Sequence, residues 1–276
     1  VYYEYDPWTP LPPKPSDEWT RFVCISDTQS HVFKIPDGDV LLHSGDLMNP
    51  GTGAEFEKTM KWLYGLPHRF KIIIAGNHDL ALHEEWYEEE HQKWVFDSFL
   101  LRIPSVRLNL WKEKDQDSEH QFQVRSGGKM WMTNGSPVTL QNFSKFAKTE
   151  ILLTHGPAHQ IFDRIVRGDE IGCEALRTRI SELRPRLHLA GHIHEAHGAY
   201  VHTWDPSSNF EPPEVQNDHA FLENSQDLPS GVPDDAERTL FINAANWPMG
   251  VNARRNGVQS AFGGPGFQAV VVDMKE

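Results

Sequence analysis

The sequence lacks most of what marks a secreted, membrane-spanning or nucleic-acid-coating protein. Only two cysteines, Cys24 and Cys173, occur in 276 residues, so no disulfide framework organises the fold and a reducing, cytoplasmic setting is expected. No apolar run approaches the roughly 20 residues of a membrane span; the longest, "KIIIAG" and "FQAVVVD", have the length of strands, and no membrane partner is expected. The N-terminal "VYYEYDPWTPLPPKPSDEW" shows no basic region followed by an apolar one, so no signal peptide is expected. Positive charge is also scarce. A formal net charge of −13 argues against a general binder of nucleic-acid polymers, which needs clustered Lys and Arg. Metal ions held in a site could still reverse the local sign and admit a small anion.

Histidine, by contrast, is abundant, with fifteen residues, several of them at strand ends. Residues 1–20 are rich in proline and aromatics without a period and read as an extended arm, followed by one α/β domain over 21–276. "RFVCIS", "DVLLHS" and "KIIIA" read as buried strands. Between the last two, Phe56, Met60, Leu63 and Tyr64 recur at helical spacing, ended by Gly65 and Pro67. Apolar strands joined by helices indicate a sheet covered on its faces. A second helix is expected around "EEWYEEEHQKWVFDSFL", then short strands "SVRLNLW", "HQFQVRS" and "KMWMTNG". "EILLTHG" and "RLHLAGH" repeat the buried-strand pattern, with a helix in "EIGCEALRTRISEL" between them. Residues 203–237, polar and proline-rich without a period, read as a loop or lid, and "TLFINAAN" and "FQAVVVDM" close the chain as strands.

Polar residues follow these strands in a consistent pattern. "CIS" leads to Asp27 and Gln29, "LLHSG" to Asp46, "IIIAG" to Asn77, His78 and Asp79, "ILLT" to His155, and "LHLAG" to His192 and His194. Ligands of α/β sheets gather beyond the carboxyl ends of strands. A lone Asp or His at such a place ordinarily caps a turn, but five strand ends carrying the same chemistry suit a pair of divalent cations. A carboxylate can bridge two ions, imidazoles suit Zn, Mn or Fe, and an amide oxygen can complete a shell.

"GDLMNPG", "GNHD", "THGP" and "GHIHE" occur in the order and spacing of the calcineurin-like metallophosphoesterases, which the sequence resembles. More narrowly it is similar to the metallophosphoesterase-domain-containing proteins, related to class III cyclic nucleotide phosphodiesterases, and to their fungal relatives. "FVCISDT", "KIIIAGNHDL", "NGSP", "LHLAGHIHE" and "FINA" support this, over about residues 20–275. The arm and the 203–237 loop lie outside it. The resemblance implies a four-layer α/β/β/α sandwich with a dinuclear site at the strand carboxyl ends. It implies that Asp46 bridges two ions, that Asp27 and His194 bind the first, and that Asn77, His155 and His192 bind the second, the ions being Mn or Fe, or else Zn. His78 would act as general acid, since an imidazole titrates near working pH. Asp79 would orient His78 or, equally, cap the next helix. Arg254, Arg255 and Asn246 are the candidates for holding the substrate; Trp247, His197 and His202 read as a core residue and two surface histidines.

The departure is Gln29, standing where the resemblance calls for a histidine. It leaves the formal charge unchanged but replaces a nitrogen donor by an amide oxygen. Gln29 binds through that oxygen, or leaves a coordination position open, or costs the site its first ion. The leading expectation is hydrolysis of a small phosphodiester or phosphomonoester by a metal-bound hydroxide, with His78 protonating the leaving group. The alternatives are a repurposed Mn or Fe enzyme, an oxygenase or lyase, acting on a non-phosphate metabolite, and an impaired protein that binds metal or nucleotide without turnover.

Overall fold

A computed structural model of the chain describes residues 2–5, 10–49, 51–79, 82, 121–124, 150–165, 167–204, 214–215, 236–245, 254–255, 258–259 and 269–275. In chain order the strands are β1 (Tyr2–Glu4), β2 (Trp19–Ile25), β3 (Val40–His43), β4 (Phe70–Ile73), β5 (Gln121–Val124) and β6 (Ile151–Leu153). They continue with β7 (Leu187–Ala190), β8 (Gly198–Thr203), β9 (Arg238–Asn243), β10 (Arg254–Arg255), β11 (Val258–Gln259) and β12 (Val270–Lys275). Helix α1 (Gly53–Tyr64) links β3 to β4, and α2 (Glu174–Leu183) links β6 to β7. Among the described residues one sheet has the order β1-β12-β2-β3-β4-β5 and a second β6-β7-β9-β8, with β10 and β11 forming a ribbon. Strands β2 to β5 run parallel, as do β6, β7 and β9; β12 is antiparallel to both β1 and β2, and β8 is antiparallel to β9.

Strand parity sorts the core into three layers, because successive side chains point to opposite faces. Val23, Ile25, Leu41, Ile73 and Val271 face α1, where Phe56, Met60 and Leu63 meet them. Cys24, Leu42, Val270 and Val272 face the second sheet and pack on Leu187, Leu189, Leu240 and Ile242. Leu152 and Phe241 face the other way, onto Leu176 and Ile180 of α2. Helix, sheet, sheet and helix follow in that order, the four-layer sandwich the resemblance implies. Each fully buried Val, Leu or Ile contributes about 1.5–3 kcal/mol.

Helix α1 begins with a reciprocal capping box between Thr52 and Glu55. Tyr64 does not share its buried stripe: it lies on the flank and is exposed. Helix α2 has an unusual N-cap, the Cys173 thiol accepting from the Leu176 N–H at 3.4 Å, and ends at Arg184 in a left-handed conformation. The first residues of the chain pair with the core: β1 is the edge strand beside β12, and Tyr5 packs into the α1 layer. The expected helix at "EEWYEEEHQKWVFDSFL" and the strands "SVRLNLW" and "KMWMTNG" lie outside the described residues, as does most of 203–237. No helix among the described residues is long and apolar enough to cross a membrane.

Arg21 of β2 sits directly opposite Asp273 of β12. Its Nε and Nη2 donate to the two carboxylate oxygens at 2.7 Å each, and both side chains are buried. Removing one partner of a buried ion pair leaves the other charge stranded. Asp273→Ala is expected to cost about 3–5 kcal/mol in chemical denaturation, whereas a loss below about 1 kcal/mol would show the pair to be worth no more than a surface one.

Candidate metal centre

The parallel register of β2, β3 and β4 aligns Ile25 with His43 and His43 with Ile73. The residues that follow, Asp27, Asp46 and Asn77, therefore emerge side by side. In the second sheet Leu153 aligns with Leu189, bringing out His155 and His192. Backbone hydrogen bonds stitch these loops together: Asp27 N–H to Gly45 O at 2.9 Å, Gln29 N–H to Asp46 O at 3.0 Å, and Gly191 N–H to His155 O at 2.8 Å. A bridge between Ser26 and Ala245 joins the ends of the two sheets.

Donor atoms of Asp27, Asp46 and His155 all lie within 4.8 Å of one another, and both carboxylates are buried, at 0% and 1% exposure. His155 Nδ1 lies 2.9 Å from Ser44 O; a carbonyl only accepts, so Nδ1 carries the proton. Its Nε2 then faces two further oxygens, Asn77 Oδ1 at 2.8 Å and Asp46 Oδ1 at 3.4 Å. A proton on Nε2, or a cation shared with these oxygens, would satisfy both contacts. His194 Nε2 lies 3.2 Å from Asp27 Oδ1, the other Asp27 oxygen accepts from His192 N–H at 3.0 Å, and His194 Nδ1 is buried without a hydrogen-bond partner among the described residues. The His192 ring stands edge-on to His155, centroids 5.0 Å apart. Oxygen and imidazole donors from both sheets fit one or two divalent cations of the Mn, Fe or Zn kind.

The electrostatics agree. Burial acts to raise the Asp27 pKa, but the hydrogen bond and charge of His194, with His155, outweigh it and hold the carboxyl well below the usual range. Burial would lower His155; the Asp46 carboxylate reverses this and raises it to about 9. His194 is raised too, burial being overcome chiefly by its hydrogen bond to Asp27. His192 is pushed down to about 4, mainly by burial. Backbone strain gathers in the same place: Asp27 (φ 53°), Gln29 (φ 45°), Asp46 (φ 55°) and His192 (φ 70°) are all left-handed. Each costs about 1–2 kcal/mol in a residue with a Cβ.

His78 N–H donates to Asp46 Oδ1 at 2.8 Å, and its ring Nδ1 meets Asn49 O at 2.7 Å. Its Nε2, on a side chain 39% exposed, lies 3.9 Å from Asp46 Oδ2. The ring is thus oriented by the Asn49 carbonyl. Asp79, expected either to orient His78 or to cap a helix, instead accepts from the backbone N–H groups of Gly76, Met48 and Leu47 at 2.8, 2.9 and 3.2 Å. It ties the Asp46 loop to the Asn77 loop. Burial and the Asp46 charge push Asp79 up to about 7 against those three amides. Gln29 is buried, its backbone N–H on Asp46 O and its backbone carbonyl accepting from His31 Nδ1–H at 2.8 Å. Arg254 and Arg255 form β10, paired with β11; their side chains, and Asn246 and Trp247 altogether, lie outside the described residues. His197 is not the surface histidine expected: it is buried, its Nδ1 3.0 Å from Ala245 O.

Sequence reasoning overlooked three buried polar side chains inside apolar strands. His43 Nδ1 accepts from Gly45 N–H at 3.2 Å, so its Nε2–H donates to Thr28 Oγ1 at 3.0 Å. Thr154 Oγ1 donates to Gly156 O at 2.8 Å, so His188 Nε2–H donates to that hydroxyl at 2.9 Å. Each histidine thereby grips a threonine next to an expected ligand, Asp27 or His155. Asn243, at the end of β9, is the third. The signal available was the lone histidine in each of the strands "VLLH" and "LHLA" and the asparagine that ends the apolar run of "RTLFIN".

A family model described as calcineurin-like phosphoesterase matches residues 20–196. Metallophosphoesterase domain-containing protein 1 of Homo sapiens is 33% identical over 230 residues, covering 72% of this chain and 70% of that protein. A UPF0046 protein of Caenorhabditis elegans is 30% identical over 198 residues, 68% of each chain. "Probable rhamnogalacturonate lyase C" of Emericella nidulans is 34% identical over 209 residues, 71% of this chain; the chain spans only 19% of that longer protein.

Two measurements check the geometry. A Cβ on Gly191 would stand 2.0 Å from Ser26 Oγ and 2.3 Å from Asp27 Oδ2; Gly191→Ala is expected to weaken Mn(II) binding by about 10–100-fold in calorimetric titration, and unchanged affinity would refute the packing. His188 is pushed by burial from the ordinary 6.5 down to about 3. It stays neutral in the fold while the unfolded chain takes up a proton, so its contribution to stability is lost as pH falls from 6.5 towards 3. His188→Gln keeps an N–H for Thr154 but cannot titrate. In urea denaturation its stability should fall less steeply over that window, by up to about 1.4 kcal/mol per pH unit; equal slopes would contradict this.

Proposed function

The chain belongs to the calcineurin-like phosphoesterase family, and from that premise we propose that it is a metal-dependent hydrolase of a small phosphodiester or phosphomonoester. The observation that carries this is the convergence of Asp27, Asp46 and His155 within 4.8 Å at buried strand ends, beside the His78 imidazole, whose Nε2 lies 3.9 Å from Asp46 Oδ2. The family uses divalent ions. Asp46 would touch both, Asp27 and His194 would hold the first with Gln29 as its amide-oxygen neighbour, and Asn77, His155 and His192 would hold the second. When bound, such a pair supplies the positive charge that clamps a phosphoryl group and acidifies water.

The protein's own groups supply the remainder. Asn49 O fixes Nδ1–H of His78, so a second proton on that ring would reside on Nε2, the nitrogen on the side of Asp46. That proton is delivered to the departing alkoxide oxygen, making His78 the general acid. Asp79 holds the Asp46 and Asn77 loops at the separation the site needs. Arg254, Arg255 and Asn246 are proposed to hold the anionic substrate in place.

The test is hydrolysis of an aryl phosphodiester and an aryl phosphomonoester by protein loaded with Mn(II), Fe(II) or Zn(II), alongside metal analysis. Turnover is expected, with His78→Ala about 10²–10⁴-fold slower at unchanged metal content. Gln29→His should tighten the weaker of the two ions. Protein that retains its ions yet cleaves neither ester would overturn the reading.

A further inference from the structure

The turn Gly191–His194 opens the connection, residues 191–197, between β7 and β8, and these strands flank β9 on its two sides. Asn243, the last residue of β9, is registered with Ala190 where the chain enters the turn and with Gly198 where it leaves. It is fully buried. One Nδ2 hydrogen goes to Ile193 O at 3.0 Å, the peptide between His192 and His194, and the other to Phe162 O at 3.0 Å. Oδ1 accepts from Ala245 N–H at 2.9 Å. The amide's orientation follows from its partners, since two carbonyls need donors and one N–H needs an acceptor. Phe162 N–H in turn donates to Val215 O at 2.8 Å, and Val215 N–H to Gln160 O at 2.9 Å. A short hydrogen-bonded path therefore runs from the bend at Gln160–Asp163, with Val215 stitched onto it, through one side chain to the histidine turn.

We propose that Asn243 is a positioning residue that sets His192 and His194 for metal by locking the Ile193 peptide to the Phe162 bend. The assignment rests on the metal-hydrolase reading above. Backbone and ligand contacts hold the turn's two ends, Gly191 N–H on His155 O at 2.8 Å and His192 N–H on Asp27 at 3.0 Å, while at its middle Ile193 O takes Ala196 N–H at 3.0 Å from within the same connection and Asn243 from the neighbouring strand; His192 is left-handed (φ 70°). His197 Nδ1 on Ala245 O fixes the far end of the same connection. Asn243 is the side chain that reaches its middle. An aspartate there keeps the acceptor for Ala245 but turns oxygen towards two carbonyls, while a serine keeps a single donor in a smaller frame.

Mn(II) affinity of the full chain, read by calorimetry and by electron paramagnetic resonance of free ion, separates positioning from simple support. Thr239→Val is the control: it removes a buried hydroxyl, bonded to Trp204 and Pro185, near the opposite end of the same strand. Asn243→Asp is expected to weaken Mn(II) by about 10–100-fold, Asn243→Ser by less, and Thr239→Val not at all, each measured below its unfolding temperature. If Asn243→Asp does not fold, Asn243→Ser carries the test. Wild-type protein that takes up no Mn(II) ends the metal reading itself. Wild type that binds, with Asn243 variants binding as tightly while their melting temperatures fall as in Thr239→Val, overturns this assignment alone.

Discussion

Asp27 and Asp46 end neighbouring parallel strands with their oxygens buried in one small cluster. Two carboxylates taken out of water together repel each other, and each loses several kcal/mol of hydration. The arrangement persists only where positive charge and oriented N–H groups meet them. His155 and His194 are drawn towards protonation by these two acids, and His192 N–H and His78 N–H point into them. A metal ion would satisfy the same demand more completely, replacing the protons between His155, Asn77 and Asp46. Histidines at the strand ends, a strained backbone and close glycines thus follow from one electrostatic requirement.

Holding such a cluster takes more of the chain than the groups that face it. Asp79 gathers amides from two loops, His43 and His188 each anchor a threonine beside an expected ligand, and Asn243 spans the histidine turn. These side chains are buried polar groups with partners, and each would be costly without them. The glycines serve the same end. Gly76 leaves no room for a Cβ, which would stand 2.2 Å from Asp46 Oδ1, and Gly45 (φ +107°) would press on His155. Close approach of backbone to carboxylate is what lets five loops share one small volume.

Much of this was legible in the sequence. The short apolar runs give a sheet covered on its faces, the resemblance adds the four layers, and the polar residue after each strand gives the site, because ligands of parallel sheets gather beyond the strands' carboxyl ends. The residues that do the holding were harder to read. Asp79 follows His78, so local spacing suggests a partner for that ring or a helix cap; only the fold reveals that Leu47 and Met48 are its neighbours. His43, His188 and Asn243 look like lapses in apolar strands until their partners, distant in sequence, are known. Residues 2–4 are too few to show a strand period, and their pairing with β12 joins opposite ends of the chain. Cys173 as a helix cap goes unnoticed because its thiol is a weak acceptor, outside the usual cap residues.

The central claim is that Asp46 lies between cations held by residues of both sheets. Anomalous scattering from crystals grown with saturating Mn(II) tests it most directly. Strong peaks are expected within the cluster of Asp27, Asp46 and His155, with Asp46 oxygens touching each ion present. Peaks confined to the surface, with His155 still bonded to Asn77 and His194 to Asp27 at saturating metal, would contradict it.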